Sequence, residues 1–464
     1  MPPLHHTPTR PPSGPTPDRR APLAGLLLLI ASILCVSACR DVGPTGVSEV
    51  ALVPPAAATA LVETSIEPFG RYRGRDYLIH RGRFEGTTSL GAFRVPWEMV
   101  APAVPASGNG ALLFEPPHFT FGPLGRDLAL GREFLFERGY AWASVGFGAN
   151  GLNLLDPAAD DAVLKGEPVE APGTIRFGLP PDEEILIQFV ELLVAGGAAE
   201  RIGPVERWYA YGASQTAGAL LETYNAPGGA GLFDFTLLEA AIWQPFFAPP
   251  DEFERLNGPF TPPPGIDKVI LVESEADLIL GETEQFRQVG DLPGWRIWEV
   301  AGAAHLPSPS NPLEHQAVAR AALVAGDAWV RLGAEPPPTL LLEEAPPGQV
   351  DPVYGLPTGI ARDADGNAHG GVRLPDLAVG RGQYIAVDLL GNPLGGLFVD
   401  LACAAASGEP SGEPRLNEHG AYVMGVARQS RALREGGYLL SEDAIALIRE
   451  AAVSDVGKPW RCDR

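Results

Sequence analysis

Through its middle the chain alternates short apolar runs with longer amphipathic stretches. Ala111–Phe114, Tyr140–Val145, Arg207–Tyr211, Lys268–Glu273 and Trp295–Val300 are too short and too continuously apolar for surface helices, so they read as buried strands. A further strand is expected near Phe233–Ala240. Between them, Gly131–Arg138, residues 183–198, a segment from Gln215 and His315–Leu332 carry helical spacing, and a last helix is expected near Ser441–Ala452. Strands alternating with helices predict an α/β fold: a mostly parallel, twisted sheet with helices on both faces. Upstream, Tyr77–Phe84 and Gly91–Val100 read as antiparallel strands at a sheet edge, where Pro96 is tolerable.

Two segments break this rhythm. Residues 147–182 are rich in Gly, Pro and Asp, and residues 243–266 set Trp243, Phe246, Phe247, Phe253 and Phe260 among prolines. Long loops in compact domains are commonly functional, and the second reads as a lid-like insertion lining an apolar pocket. The core is therefore expected over 63–336. Beyond it the alternation stops, and 337–464 reads as a C-terminal extension packed on that core or as a separate small domain. Asp363-Ala-Asp-Gly-Asn367 lacks the remaining oxygen ligands of a calcium loop and reads as a tight turn.

The first residues have a different character. Arg10, Arg19 and Arg20 precede an apolar run over Leu23–Val36, which is short for the ~20 residues that span a bilayer. That is the pattern of a signal peptide, expected over 1–38. Val36-Ser37-Ala38-Cys39 resembles the lipobox of bacterial lipoproteins. The resemblance implies diacylation of Cys39, a tether over 39–62, and an extracytoplasmic protein held to a membrane by two or three acyl chains. Cys403 and Cys462 then remain as thiols, and spacing leaves open whether they pair.

Composition narrows the partners. A hydrophobic fraction of 45% supports a sizeable core, while 55 Gly and 48 Pro forecast many turns and long loops. The formal charge of −23 argues against nucleic acid, whose binding is dominated by cationic contacts to phosphate.

The chemistry concentrates in Trp208-Tyr-Ala-Tyr-Gly-Ala-Ser-Gln-Thr-Ala-Gly218. An apolar strand runs through Gly212 into Ser214, and a helix follows. A serine held in a sharp strand-to-helix turn needs small neighbours two positions away. Gly212 meets this requirement, whereas Thr216 is larger than the usual glycine. Such a turn presents the hydroxyl at the C-terminal edge of the sheet and aims the Gln215 N–H at an oxyanion. A nucleophilic serine needs a base, and the base an orienting carboxylate. Beyond residue 39 the histidines are His80, His118, His305, His315, His369 and His419. His305 alone follows a candidate acid and sits in a small-residue loop right after a strand. The acid lies in Glu273-Ser-Glu-Ala-Asp277: Asp277 at the usual offset past its strand, or Glu275 two residues closer. A second oxyanion donor should come from the loop after Phe114. Pro116 and Pro117 lack N–H, leaving the backbone from His118 to Thr120, centred on Phe119. No His/Cys cluster has metal-ligand spacing and no Gly-rich phosphate loop precedes a helix, so neither metal nor cofactor is expected.

Four segments together carry a family resemblance: the Gly-x-Ser-Gln-Thr-Ala elbow, Ser274-Glu-Ala-Asp277, Trp298-Glu-Val-Ala-Gly-Ala-Ala-His305 and Asp365-Gly-Asn-Ala-His-Gly-Gly-Val-Arg-Leu-Pro375. Over roughly residues 65–455 the sequence resembles the bacterial "alpha/beta hydrolase domain" family of the α/β-hydrolase superfamily. The resemblance implies an α/β-hydrolase fold, with Ser214 as nucleophile, His305 as base, the acid in the Asp277/Glu275 pair, and 337–464 as a C-terminal extension of the same catalytic unit. Relatives often carry an Asn- and Gly-containing loop where this chain has Pro116-Pro117-His118-Phe119. The expected activity is hydrolysis of a small-molecule carboxylic ester. An amidase, peptidase or acyltransferase would use the same residues, and a binding lipoprotein would use the same scaffold.

Overall fold

In the computed structural model the described residues are 59–89, 91–117, 130–146, 182–241, 260–279, 284–289, 292–306, 308, 310–313, 315–388, 395–401 and 418–458. Residues 1–38, Cys39, Phe119, Cys403, Cys462 and most of the 147–182 and 243–266 segments lie outside them.

Among the described residues the main sheet has nine strands. In chain order they are β1 (Ala60–Tyr72), β2 (Arg75–Thr88), β3 (Gly91–Pro102), β4 (Ala111–Phe114), β5 (Ala141–Val145), β6 (Arg207–Ala213), β7 (Phe235–Glu239), β8 (Val269–Ser274) and β9 (Trp295–Val300). Their spatial order is β1-β2-β3-β5-β4-β6-β7-β8-β9. The first three strands and the β3–β5 pair are antiparallel, and every pair from β5 to β9 is parallel. Parallel strands covered on both faces should be apolar throughout, and β4, β5, β7 and β8 are buried at every position.

Alternate residues of these strands feed two separate cores. Leu113, Leu237, Ile270 and Val272 point to one face; Leu112, Phe114, Leu238, Val269 and Leu271 point to the other. The second face is covered by α2 (Asp182–Leu192) and α4 (Gln215–Asn225), through Ile185, Leu186, Phe189, Leu220, Leu221 and Tyr224. The first is covered by α1 (Arg132–Glu137) and α6 (Gln316–Leu332). Two short helices, α3 (Ala199–Ile202) and α5 (Glu275–Ile279), complete this part.

The C-terminal extension joins the first core. Single bridges tie Trp298 to Leu340 and Val300 to Val372, so the extension prolongs the hydrogen bonding of β9. It continues through α7 (Pro375–Ala378), the antiparallel pair β10 (Gly382–Ile385) and β11 (Leu397–Asp400), α8 (His419–Gly436) and α9 (Ser441–Val453). Leu342, Val372, Leu377, Tyr384 and Leu439 belong to the same hydrophobic cluster as the sheet, and Tyr438 meets Trp298 edge-on at 5.1 Å. In the turn at 363–367, the Asp363 carboxylate accepts the N–H groups of Asp365 and Asn367 and pairs with Arg373. Its oxygens are thus used within the protein.

Two elements depart from expectation. Strand β1 starts at Ala60, inside the segment read as tether and well before Tyr77. It is an edge strand with mixed, mostly exposed side chains, so it lacks the alternation that marks a half-buried strand. Helix α8 was likewise invisible: its buried stripe is Tyr422, Gly425, Val426, Ser430 and Leu433, where Gly and Ser dilute the apolar signal.

Gly326 lets α6 lie flat on the sheet, because a Cβ built there would fall on the Phe235 ring. Gly326→Ala should destabilise the protein by about 1–3 kcal/mol through overpacking, despite alanine's higher helix propensity. A lower denaturant midpoint with unchanged slope is the expected result.

Candidate active site

The parallel strands all end at one edge, and the candidate residues follow those ends. Ser214 leaves β6 and immediately precedes α4, with φ 55° and ψ −126°. That left-handed backbone is rare for a side chain with a Cβ, and three contacts hold it. The Ser214 N–H donates to the Glu239 carbonyl at the end of β7, at 2.8 Å. The Thr216 hydroxyl accepts the Ala213 N–H at 2.9 Å and donates to the Ala213 carbonyl at 2.8 Å. At Gly212 a Cβ would come within 2.7 Å of the Ala217 Cα. The Thr216 that looked oversized thus closes the turn with its hydroxyl, while Gly212 supplies the room.

Across the edge, His305 Nε2 lies 3.0 Å from Ser214 Oγ, and His305 Nδ1 lies 2.6 Å from Asp277 Oδ1. A carboxylate at Nδ1 can only accept, so the proton sits on Nδ1 and the Nε2 lone pair faces the serine hydroxyl. Asp277 is fully buried. Its other oxygen accepts the Ser274 hydroxyl at 2.6 Å and the Ser274 N–H at 3.1 Å. Burial alone would push this carboxyl up; the His305 charge and hydrogen bond, with the Ser274 hydroxyl, outweigh it and leave Asp277 below the usual carboxylate range.

Glu275 takes a different place. Its Oε2 accepts the Gly302 N–H at 2.7 Å, and its Oε1 pairs with Arg362 from the C-terminal extension. Of the two carboxylates offered by the loop, only Asp277 touches the imidazole. Gln215 opens α4 with its side chain buried, and its Nε2 has no hydrogen-bond partner among the described residues.

Several neighbours had gone unmarked. Glu239 receives the Tyr211 hydroxyl at 2.6 Å and faces His315 Nε2 at 3.1 Å, both side chains being 2% exposed. Burial, then Glu239 and Glu115, pushes the Tyr211 phenol far above its ordinary value, so it remains a donor. Glu115, the first residue after β4, accepts the Trp142 indole N–H at 2.8 Å. A carboxylate closing an otherwise apolar strand, as in Phe235-Thr-Leu-Leu-Glu239, was the available signal. Among the described residues no group of three or more His, Cys, Asp or Glu is placed to hold a metal ion.

A mostly parallel sheet, helices on both faces and a serine at a strand-to-helix elbow define the α/β-hydrolase fold. A family model described as "Alpha/beta hydrolase domain" matches residues 99–449, more than half of the chain, and the chain belongs to that family of hydrolases. No curated protein matches the sequence. Among solved structures, it is similar to an α/β serine hydrolase without a lid from Xanthomonas campestris (14% identity over 47% of this chain and 83% of that one, TM-score 0.29). Others are esterase Est22 (13%, 48% and 71%, TM-score 0.30) and the brefeldin A esterase, a bacterial homologue of human hormone sensitive lipase (13%, 62% and 79%, TM-score 0.28).

The depressed Asp277 carboxyl couples the site to stability. A group held below its unfolded value of ~3.9 stabilises the fold above that pH, and the contribution disappears as pH falls through the folded value. The unfolding free-energy difference between wild type and Asp277→Asn should therefore narrow as pH drops below about 4. Denaturant titrations across pH measure it.

Proposed function

We infer that the protein is a serine hydrolase that cleaves small carboxylic esters through Ser214, His305 and Asp277. The observation that carries this reading is the continuous contact Ser214 Oγ to His305 Nε2 to Asp277, on a serine whose backbone is held left-handed. Ser214 attacks the ester carbonyl while its proton passes to His305 Nε2. Asp277 keeps the imidazole in the required tautomer and stabilises the imidazolium that forms. The tetrahedral oxyanion is met by the Gln215 N–H at the start of α4, which contributes about 3 kcal/mol; the sequence offers the Phe119 N–H, outside the described residues, as the second donor. Collapse breaks the bond to the alcohol oxygen, which takes the proton from His305. Water, deprotonated by the same imidazole, then releases the acid from Ser214. An ester asks least of this set: an alkoxide is the better leaving group and depends little on the His305 proton, whereas an amide nitrogen departs only once His305 has protonated it.

The same reading places the enzyme outside the cytoplasm, exported by residues 1–38 and tethered to a membrane by lipid on Cys39. What supports this is the Arg-led apolar run and the Val-Ser-Ala-Cys boundary. Among the described residues no helix is long and apolar enough to cross a membrane.

A fluorophosphonate probe should label wild type, and Ser214→Ala and His305→Ala should not label. On p-nitrophenyl esters these variants should lose on the order of 10⁴–10⁶ in kcat, and Asp277→Asn about 10⁴. Labelling that persists in Ser214→Ala would assign another nucleophile, and a parallel amide panel fixes the bond class. For the anchor, full-length protein made in a bacterium should partition into detergent, and Cys39→Ala should move it to the aqueous phase.

A further inference from the structure

His305 stands on a loop of small residues, Ala301-Gly-Ala-Ala304, with no bulk of its own to hold a shape. Gly302 adopts φ 73°, and a Cβ there would run into Leu313, Leu377 and Tyr384. Its N–H donates to Glu275 Oε2 at 2.7 Å, and its carbonyl accepts Asn311 Nδ2 at 2.8 Å. On either side, Ala301 N–H reaches the Val372 carbonyl at 3.2 Å and the Ala303 carbonyl receives the Ala276 N–H at 3.2 Å. The loop is therefore held by main-chain bonds, by the Asn311 amide and by one carboxylate.

That carboxylate is anchored from the C-terminal extension. Glu275 is fully buried and pairs with Arg362, itself 4% exposed; Arg362 Nε bonds Asp351 Oδ2 at 2.7 Å. Asp351 is fixed in turn by the Thr358 hydroxyl at 2.6 Å and the Val353 N–H at 2.8 Å, and Arg362 lies over the Tyr354 ring at 5.3 Å. An isolated buried carboxylate two residues from Asp277 would be costly and free to swing toward other donors. The guanidinium neutralises it and fixes its direction toward Gly302.

We propose that Glu275 and Arg362 are positioning residues for His305, so that the C-terminal extension sets the imidazole against Ser214 and Asp277. This rests on the triad reading above and adds a requirement that the triad alone does not carry: the extension must be docked, with Arg362 on Glu275, for His305 to be held in register.

Two variants test it in the full chain. Glu275→Leu/Asp351→Asn/Arg362→Met removes all three charges together, since buried ion clusters replaced by neutral residues of similar volume often leave stability unharmed. Arg362→Lys keeps a cation but loses the fork that reaches Glu275 and Asp351 at once. Both should melt cooperatively, with kcat lowered about 10–100-fold and KM within about twofold, the triple variant more than Arg362→Lys. The fluorophosphonate labelling rate should fall in parallel. The low-field proton resonance of His305 Nδ1–H, identified by its loss in His305→Ala, should broaden or vanish in both. A folded variant with wild-type kcat, labelling rate and resonance overturns the proposal. If the triple variant does not fold, Arg362→Lys decides by the same readings. Should wild type itself fail to label at Ser214, the triad reading falls. The resonance then decides the clamp alone: persistence overturns it, and loss supports it.

Discussion

The left-handed backbone at Ser214 is the constraint on which the rest of the site depends. A residue with a Cβ held there costs about 1–3 kcal/mol and persists only when its surroundings leave it no alternative. Those surroundings are distributed over three segments. Gly212 removes the Cβ that would strike α4, Thr216 ties both main-chain groups of Ala213, and Glu239 of the neighbouring strand accepts the serine's own N–H. The last of these exists only because β7 lies beside β6 in parallel register, with Ala213 opposite Glu239. Sheet order and the geometry of the elbow are thus one feature. A slip of one residue between these strands would turn every inward side chain outward and also release the elbow.

The same edge gathers buried carboxylates at Glu115, Glu239, Glu273, Glu275 and Asp277, none more than 2% exposed. In a low-dielectric setting each needs donors or a cation. Trp142 serves Glu115, Tyr211 and His315 meet Glu239, the Ala241 N–H reaches Glu273, Arg362 and Gly302 take Glu275, and His305 and Ser274 take Asp277. The partners come from β5, β6, the ends of β7, β8 and β9, the start of α6 and the extension. The polar groups therefore lock the loops to one another where hydrophobic packing stops, at the rim of the sheet.

Much of this was legible in the chain. Parallel strands buried on both faces announce themselves as continuous apolar runs, and the Gly-x-Ser elbow and the histidine after β9 follow from where such strands must end. What was hidden has physical causes. Strand β1 is an exposed edge with no alternation to detect, and α8 buries a Gly and a Ser within its apolar stripe. The hydroxyl of Thr216 bonds within its own turn, a role that composition does not distinguish from an oversized side chain. The loop bearing Phe119 and most of the aromatic 243–266 segment lie outside the described residues.

The choice between Glu275 and Asp277 shows what three dimensions add. Both lie in α5, two positions apart, and at about 100° per residue their side chains leave the helix on nearly opposite sides. Offset along the chain cannot rank them, because a shift of two residues in the helix start would exchange their directions. The start is fixed by Ser274, whose hydroxyl and N–H both engage Asp277. With Asp277 turned toward His305, Glu275 must face the opposite way, into the extension, where an unpaired charge would be intolerable and Arg362 stands. The presence of two acids in one short loop is therefore no redundancy. One bonds the imidazole, and the other holds the backbone that carries it.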